Sequence, residues 1–164
     1  MTKAAVIAAV YAVLTLFSSA FGLAYSGVQF RISEALCVLP LFTSAAVPGL
    51  TVGCIIANIF STVNPLDTVI GSAATLFAAL LTRVCRNVRI GGIPVPSMLF
   101  PVLFNAVFVG AEIAFFSGED AFLSVFALNA LSVGAGEAAV IFTVGTALIL
   151  FLRKNTRLRT LISR

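Results

Sequence analysis

Arg83-Val84-Cys85-Arg86-Asn87-Val88-Arg89 stands between two long apolar runs, residues 65–82 and 97–116. Its three arginines form one of three basic clusters. The others are Lys3 near the start and Arg153, Lys154, Arg157, Arg159 and Arg164 at the end. Together they hold nine of the ten basic residues, and none of the six acidic residues falls among them. The remainder is apolar enough that 60% of the chain is hydrophobic and mean hydropathy is +1.14, a composition suited to lipid. Basic residues are retained on the cytoplasmic side of a membrane protein, so both termini and the 83–89 loop are expected on that side, with an even number of spans.

A span needs about 20 residues to cross a hydrocarbon core of about 30 Å, so the 164 residues accommodate about six spans and no separate soluble domain. The expected spans are 3–21, 30–43, 45–61, 65–85, 97–116 and 120–152, in an all-α, polytopic membrane bundle that forms a single domain. The second is short, is interrupted by Pro40 and opens on Arg31 and Glu34. The last is long for one bilayer crossing: either one tilted helix protrudes outward, or Gly134-Ala135-Gly136 divides it. The first span also has the form of a secretory signal, but removing it would leave an odd number of spans, so it is read as retained.

The net charge of +4 reflects orientation in the membrane and gives no support for nucleic-acid binding. Three cysteines, Cys37, Cys54 and Cys85, are odd in number and lie within or at the end of apolar segments, so they read as small buried residues and not as a disulfide framework. No phosphate-binding G-x-x-x-x-G-K-[ST] loop occurs, so this chain is not expected to be an ATPase. With no histidine and no metal-ligand spacing, no metal site and no cofactor are expected. Nucleophile motifs of hydrolases are missing as well, and an enzyme is not expected.

The acids are therefore the informative residues. Asp67 lies 16 residues before Arg83, Glu137 lies 16 before Arg153, and Glu112 lies 16 after Pro96. In regular helices each sits about 24 Å from the basic boundary, so three carboxylates from three spans are expected to share one layer, with Glu34 near it. A buried ionisable group in a membrane helix is costly and faces protein or a polar cavity. Gln29, Arg31, Asn58 and Asn105 add polar groups to this layer, as an outward-facing binding pocket. Each has a structural alternative: Arg31 and Glu34, spaced i, i+3, can pair only with each other, Asp67 suits a helix start after Asn64, and Asn58 and Asn105 can bind neighbouring helices. Glu119 and Asp120 read as helix-start residues. A flat ligand would have only Phe or Tyr to stack on, with Tyr25, Phe30 and Phe60 nearest the outer face. On the first span, Ala4, Ala8 and Ala12 are spaced by four, as are Ala5 and Ala9, giving a smooth face for close approach of another helix, from within or outside the chain.

The run Val28-Gln29-Phe30-Arg31-Ile32-Ser33-Glu34-Ala35-Leu36, with Pro48-Gly49-Leu50, Gly53-Cys54, Ala57-Asn58, Asp67, Gly71-Ser72, Ala74-Thr75, Asn105-Ala106 and Gly136-Glu137-Ala138, resembles the QueT family. These are small membrane proteins regarded as substrate-binding S-components of energy-coupling factor (ECF) transporters for queuosine precursors. The resemblance implies a six-helix S-component of the bacterial cytoplasmic membrane that captures its ligand from outside. It also implies association with a coupling transmembrane subunit and two cytoplasmic ATPases, which alone use ATP. The Ala4, Ala8, Ala12 face would then meet the coupling subunit, and residues 22–29 would form the outer lid. A 7-deazaguanine presents a donor edge that one carboxylate can accept, and its aminomethyl form adds a cation for a second. Another vitamin-like substrate, a proton-coupled carrier using Glu112 or Glu137, and a purely structural subunit remain as alternatives.

Overall fold

The computed structural model describes residues 2–22, 30–60, 66–118 and 121–163, without the side chains of 159 and 163. Four helices are long and apolar enough to cross a membrane: Thr2–Ala20 (α1), Asp67–Val84 (α3), Val95–Phe116 (α4) and the 33-residue stretch Phe122–Lys154. The last comprises Phe122–Val140 (α5), a π-helical segment Ile141–Gly145, and Thr146–Lys154 (α6). It runs through Gly134 and Gly136 without a break, so one long helix replaces the two-segment alternative. Two shorter apolar helices, the 3₁₀ helix Ile32–Leu41 and Ala46–Asn58 (α2), complete the bundle. The result is an all-helical, multi-pass membrane fold. A final helix, Thr156–Ser163 (α7), has no counterpart in the sequence reading.

Helices α1 to α5 pack in chain order, each against the next. The 3₁₀ helix threads between them and touches α1, α2, α3, α4, α5, the π segment and α6. Ser33, Glu34, Ala35, Cys37, Val38, Leu39 and Pro40 are all buried. Runs of 3₁₀ structure beyond three or four residues are uncommon because their hydrogen bonds are poorer, but they rise about 2.0 Å per residue against about 1.5 Å for an α-helix. Ten residues therefore cover about 20 Å and not about 15 Å. That is how a segment too short to span as an α-helix reaches through much of the bundle. Packing on all sides holds the strained form in place.

Small residues set the closest approaches. A Cβ added to Gly49 would lie 2.8 Å from the Ala4 carbonyl, and one added to Gly53 would lie 2.8 Å from the Ala8 carbonyl. This is a small-xxx-small contact between α1 and α2. Ala8 and Ala12 are accordingly buried and Ala4 half-buried. The face that the resemblance gives to a coupling subunit, Ala4, Ala8 and Ala12, is met by α2 of the same chain, and the four-residue spacing of the α2 glycines is the reason. Ala5 and Ala9 carry the exposed side of α1, together with Val6, Val13 and Phe17. On α4 and α5, Gly110 packs against the Ala130 backbone in the same way.

The outward faces are apolar: Val52, Ile55, Ile59, Leu103, Val107, Leu128 and Leu131 are all exposed. In water such a surface would aggregate, whereas in a bilayer it meets lipid. At the basic end, Gly91 and Gly92 adopt φ of 58° and 80°, a turn closed by paired backbone hydrogen bonds between Ile90 and Ile93.

Candidate functional site

Polar side chains of α1 meet the 3₁₀ helix rung by rung. Tyr11, Thr15 and Ser18, at i, i+4 and i+7, lie on one helical face and are all buried. The Ser18 hydroxyl accepts the Ile32 N–H at 3.2 Å, satisfying a donor at the start of the 3₁₀ helix. It donates in turn to the Leu14 carbonyl at 2.9 Å. Thr15 shares a 2.7 Å hydrogen bond with the Ser33 hydroxyl. Tyr11 donates its hydroxyl to Glu34 Oε1, while the Cys37 thiol donates to Oε2 at 3.0 Å. Glu34 is thus held on both oxygens.

Beyond Glu34 the network continues into four further helices. Asn105 of α4 donates from Nδ2 to Glu137 Oε1 at 3.0 Å. Glu34 and Arg31 both lie within electrostatic reach of Glu137. The Arg31 guanidinium is 3.9 Å from Asp67 Oδ2 at the start of α3, so Arg31 does not pair with Glu34 alone. Asn58, at the end of α2, donates from Nδ2 to the Asp67 carbonyl at 3.1 Å. A side chain at residue 71 would collide with that amide, since a Cβ there would lie 2.7 Å from Nδ2 and 3.3 Å from Asp67 Oδ1. Glycine at 71 makes this junction possible.

The structure therefore gathers Arg31, Glu34, Asn58, Asp67, Asn105 and Glu137, every one of them buried. Glu112, also buried, belongs to α4 and borders a cavity of about 520 Å³ lined by Leu66, Ile70, Phe108, Phe115 and Phe122 among others. Its surroundings there are apolar. Gln29 lies outside the described residues, as do Asn64, Glu119, Asp120 and Tyr25. Phe60 is 61% exposed. The sequence reading missed Tyr11, Thr15, Ser18, Ser33 and Cys37. For the first three a signal existed, because the polar residues of the first span share one helical face.

Chemically the network is short of donors. It sets three carboxyl groups against one guanidinium, and two of its buried oxygens, Glu137 Oε2 and Asn58 Oδ1, have no hydrogen-bond partner among the described residues. A buried acceptor without a donor costs about 1–3 kcal/mol. The arrangement suits a guest that brings N–H groups or positive charge. Among the described residues no cluster of His, Cys, Asp or Glu is arranged to hold a metal ion.

Fold and site together define a multi-pass membrane protein with a polar centre enclosed by apolar helices. The chain belongs to the QueT transporter family, whose sequence profile matches residues 1–154. That is a family of transporters and not of enzymes. Over 72 residues it is 33% identical to the queuosine precursor transporter QueT of Lactococcus lactis subsp. cremoris, an alignment covering 44% of this chain and 42% of the relative. No solved structure matches the chain significantly.

Proposed function

We propose that this protein is the substrate-binding S-component of an ECF-type importer in the bacterial cytoplasmic membrane, and that it captures a queuosine precursor of the 7-deazaguanine type from outside. The observation that carries this reading is the donor deficit of the buried network. Among the described residues Glu137 Oε2 and Asn58 Oδ1 have no donor, and the edge of a guanine-like ring supplies several N–H groups in one plane. Glu34, already fixed by Tyr11 and Cys37, serves as a preorganised negative charge facing the aminomethyl cation of the more basic precursor. Family membership and the name of the Lactococcus relative support the same substrate class.

In this reading the termini and the 83–96 loop are cytoplasmic, and the acidic network opens toward the outside. A coupling transmembrane subunit and two ATPases supply the energy, so the chain itself carries no cofactor. Calorimetric titration of the purified protein with the aminomethyl and cyano 7-deazaguanines tests it. Saturable binding of either, displaced by the other, is the expected result. A folded protein that binds neither would overturn the substrate assignment, and transport by the chain without any ATPase would overturn the S-component role.

A further inference from the structure

The basic end of the bundle carries a second feature that capture of a substrate does not use. After Lys154 the backbone turns at Asn155 (φ −98°, ψ 93°), and α7 runs back toward the start of α1. Leu158 and Ile162 pack on the core, and the Ile162 carbonyl accepts a hydrogen bond from Lys3 Nζ at 3.2 Å. A helix of eight residues is about 12 Å long, and this one bridges the basic ends of α6 and α1. It therefore lies across the helix ends, along the membrane surface. About 100° around the same helix, Arg157 and Leu161 are exposed, the latter by 67%.

Several basic side chains here have structural partners. Arg83 donates to the Pro40 carbonyl at 3.1 Å and Arg153 to the Gly92 carbonyl at 3.2 Å, while Arg89 lies near enough to Arg153 to repel it. Lys154 and Arg157 differ: among the described residues their side chains make no hydrogen bond and no ion pair. They flank a cavity of about 430 Å³ that is completed by Asn155, Thr156 and Phe151. Phe151 is 56% exposed on the lipid-facing side of α6. None of the described acidic residues lines this cavity.

One wall is thus apolar and turned to the acyl chains, and the rim is cationic with a hydroxyl and an amide beside it. The geometry points to a binding site for an anionic phospholipid: the phosphate headgroup sits between Lys154 and Arg157, and an acyl chain follows Phe151 into the bilayer. A zwitterionic lipid brings its own cation to the same place and loses the attraction. Each Lys or Arg held near an anionic leaflet strengthens attachment by about fivefold.

Native mass spectrometry of the full chain, with phosphatidylglycerol and phosphatidylcholine supplied together, provides the test. Wild-type protein should retain phosphatidylglycerol preferentially, and K154Q/R157Q should lower that preference by roughly 25-fold if the two contributions add. Arg86→Gln, a basic residue that does not line the cavity, should change it little. Circular dichroism and the thermal transition check that the double variant remains folded; single variants replace it if not. Equal retention of both lipids by the wild type, or an undiminished preference in the folded variants, would overturn the proposal. Loss of the bound lipid to excess inorganic phosphate would identify a soluble-anion site instead. A variant with unchanged lipid preference that fails to associate with a cytoplasmic protein would assign the cavity to that protein, again overturning the lipid.

Discussion

The Tyr11 hydroxyl donates to Glu34 Oε1, and through this contact α1 fixes the orientation of a carboxylate on the central 3₁₀ helix. Both residues are fully enclosed, at 0% and 1% exposure, so neither can turn to water if the other is lost. A hydrogen bond to a charged group is worth about 1.5–3 kcal/mol. Tyr11→Phe keeps the ring and deletes the donor, and should destabilise the protein by about that amount. Thermal unfolding in detergent, followed by circular dichroism, would show a lowered midpoint. An unchanged midpoint would mean that Cys37 alone satisfies Glu34.

Ligand affinity should depend on Glu137 more than on Glu112. Glu137 shares the polar network and has an oxygen without a donor among the described residues, whereas Glu112 borders an apolar cavity. Glu137→Gln replaces one carboxyl oxygen with an N–H donor, and is expected to weaken 7-deazaguanine binding by about 1.5–3 kcal/mol. Glu112→Gln should cost less. Calorimetric titration of both variants would reveal the order, and the opposite order would move the site toward α3 and α4.

The two alanine faces of α1 should behave differently. Ala8→Leu forces a larger side chain against Gly53, and overpacking of this kind costs about 1–3 kcal/mol. The variant should unfold at lower temperature. Ala9→Leu changes an exposed position and should leave the unfolding midpoint in place. If Ala9→Leu nevertheless abolishes transport while ligand binding persists, the exposed Ala5 and Ala9 side is the surface that meets a partner.

Orientation is open to direct measurement. Single cysteines in a cysteine-free background should react with an impermeant maleimide on intact cells at residue 117 or 118, and should stay unlabelled at 87–92 until the membrane is opened. Labelling of 87–92 from outside would invert the topology, placing the acidic network on the cytoplasmic side.

The sequence by itself determined the class of the fold, because composition and the separation of basic from acidic residues act on the whole chain without regard to packing. It also marked Arg31, Glu34, Asn58, Asp67, Asn105 and Glu137 for attention, since polar groups in apolar helices are costly wherever they point. It did not show which way each helix faces. In a soluble protein the apolar stripe reveals the buried side, but a membrane helix is apolar toward lipid and toward protein alike. Hence the four-residue alanine spacing of α1 marks a smooth face without saying what covers it, and the approach of Gly49 and Gly53 is a tertiary fact. The 3₁₀ form of Ile32–Leu41 is likewise a tertiary outcome, imposed by the helices that enclose it. The pairing of Glu34 with Tyr11, 23 residues away in sequence, and of Glu137 with Asn105, 32 away, required the folded chain, because a contact between helices is set by their packing and leaves no spacing in the sequence.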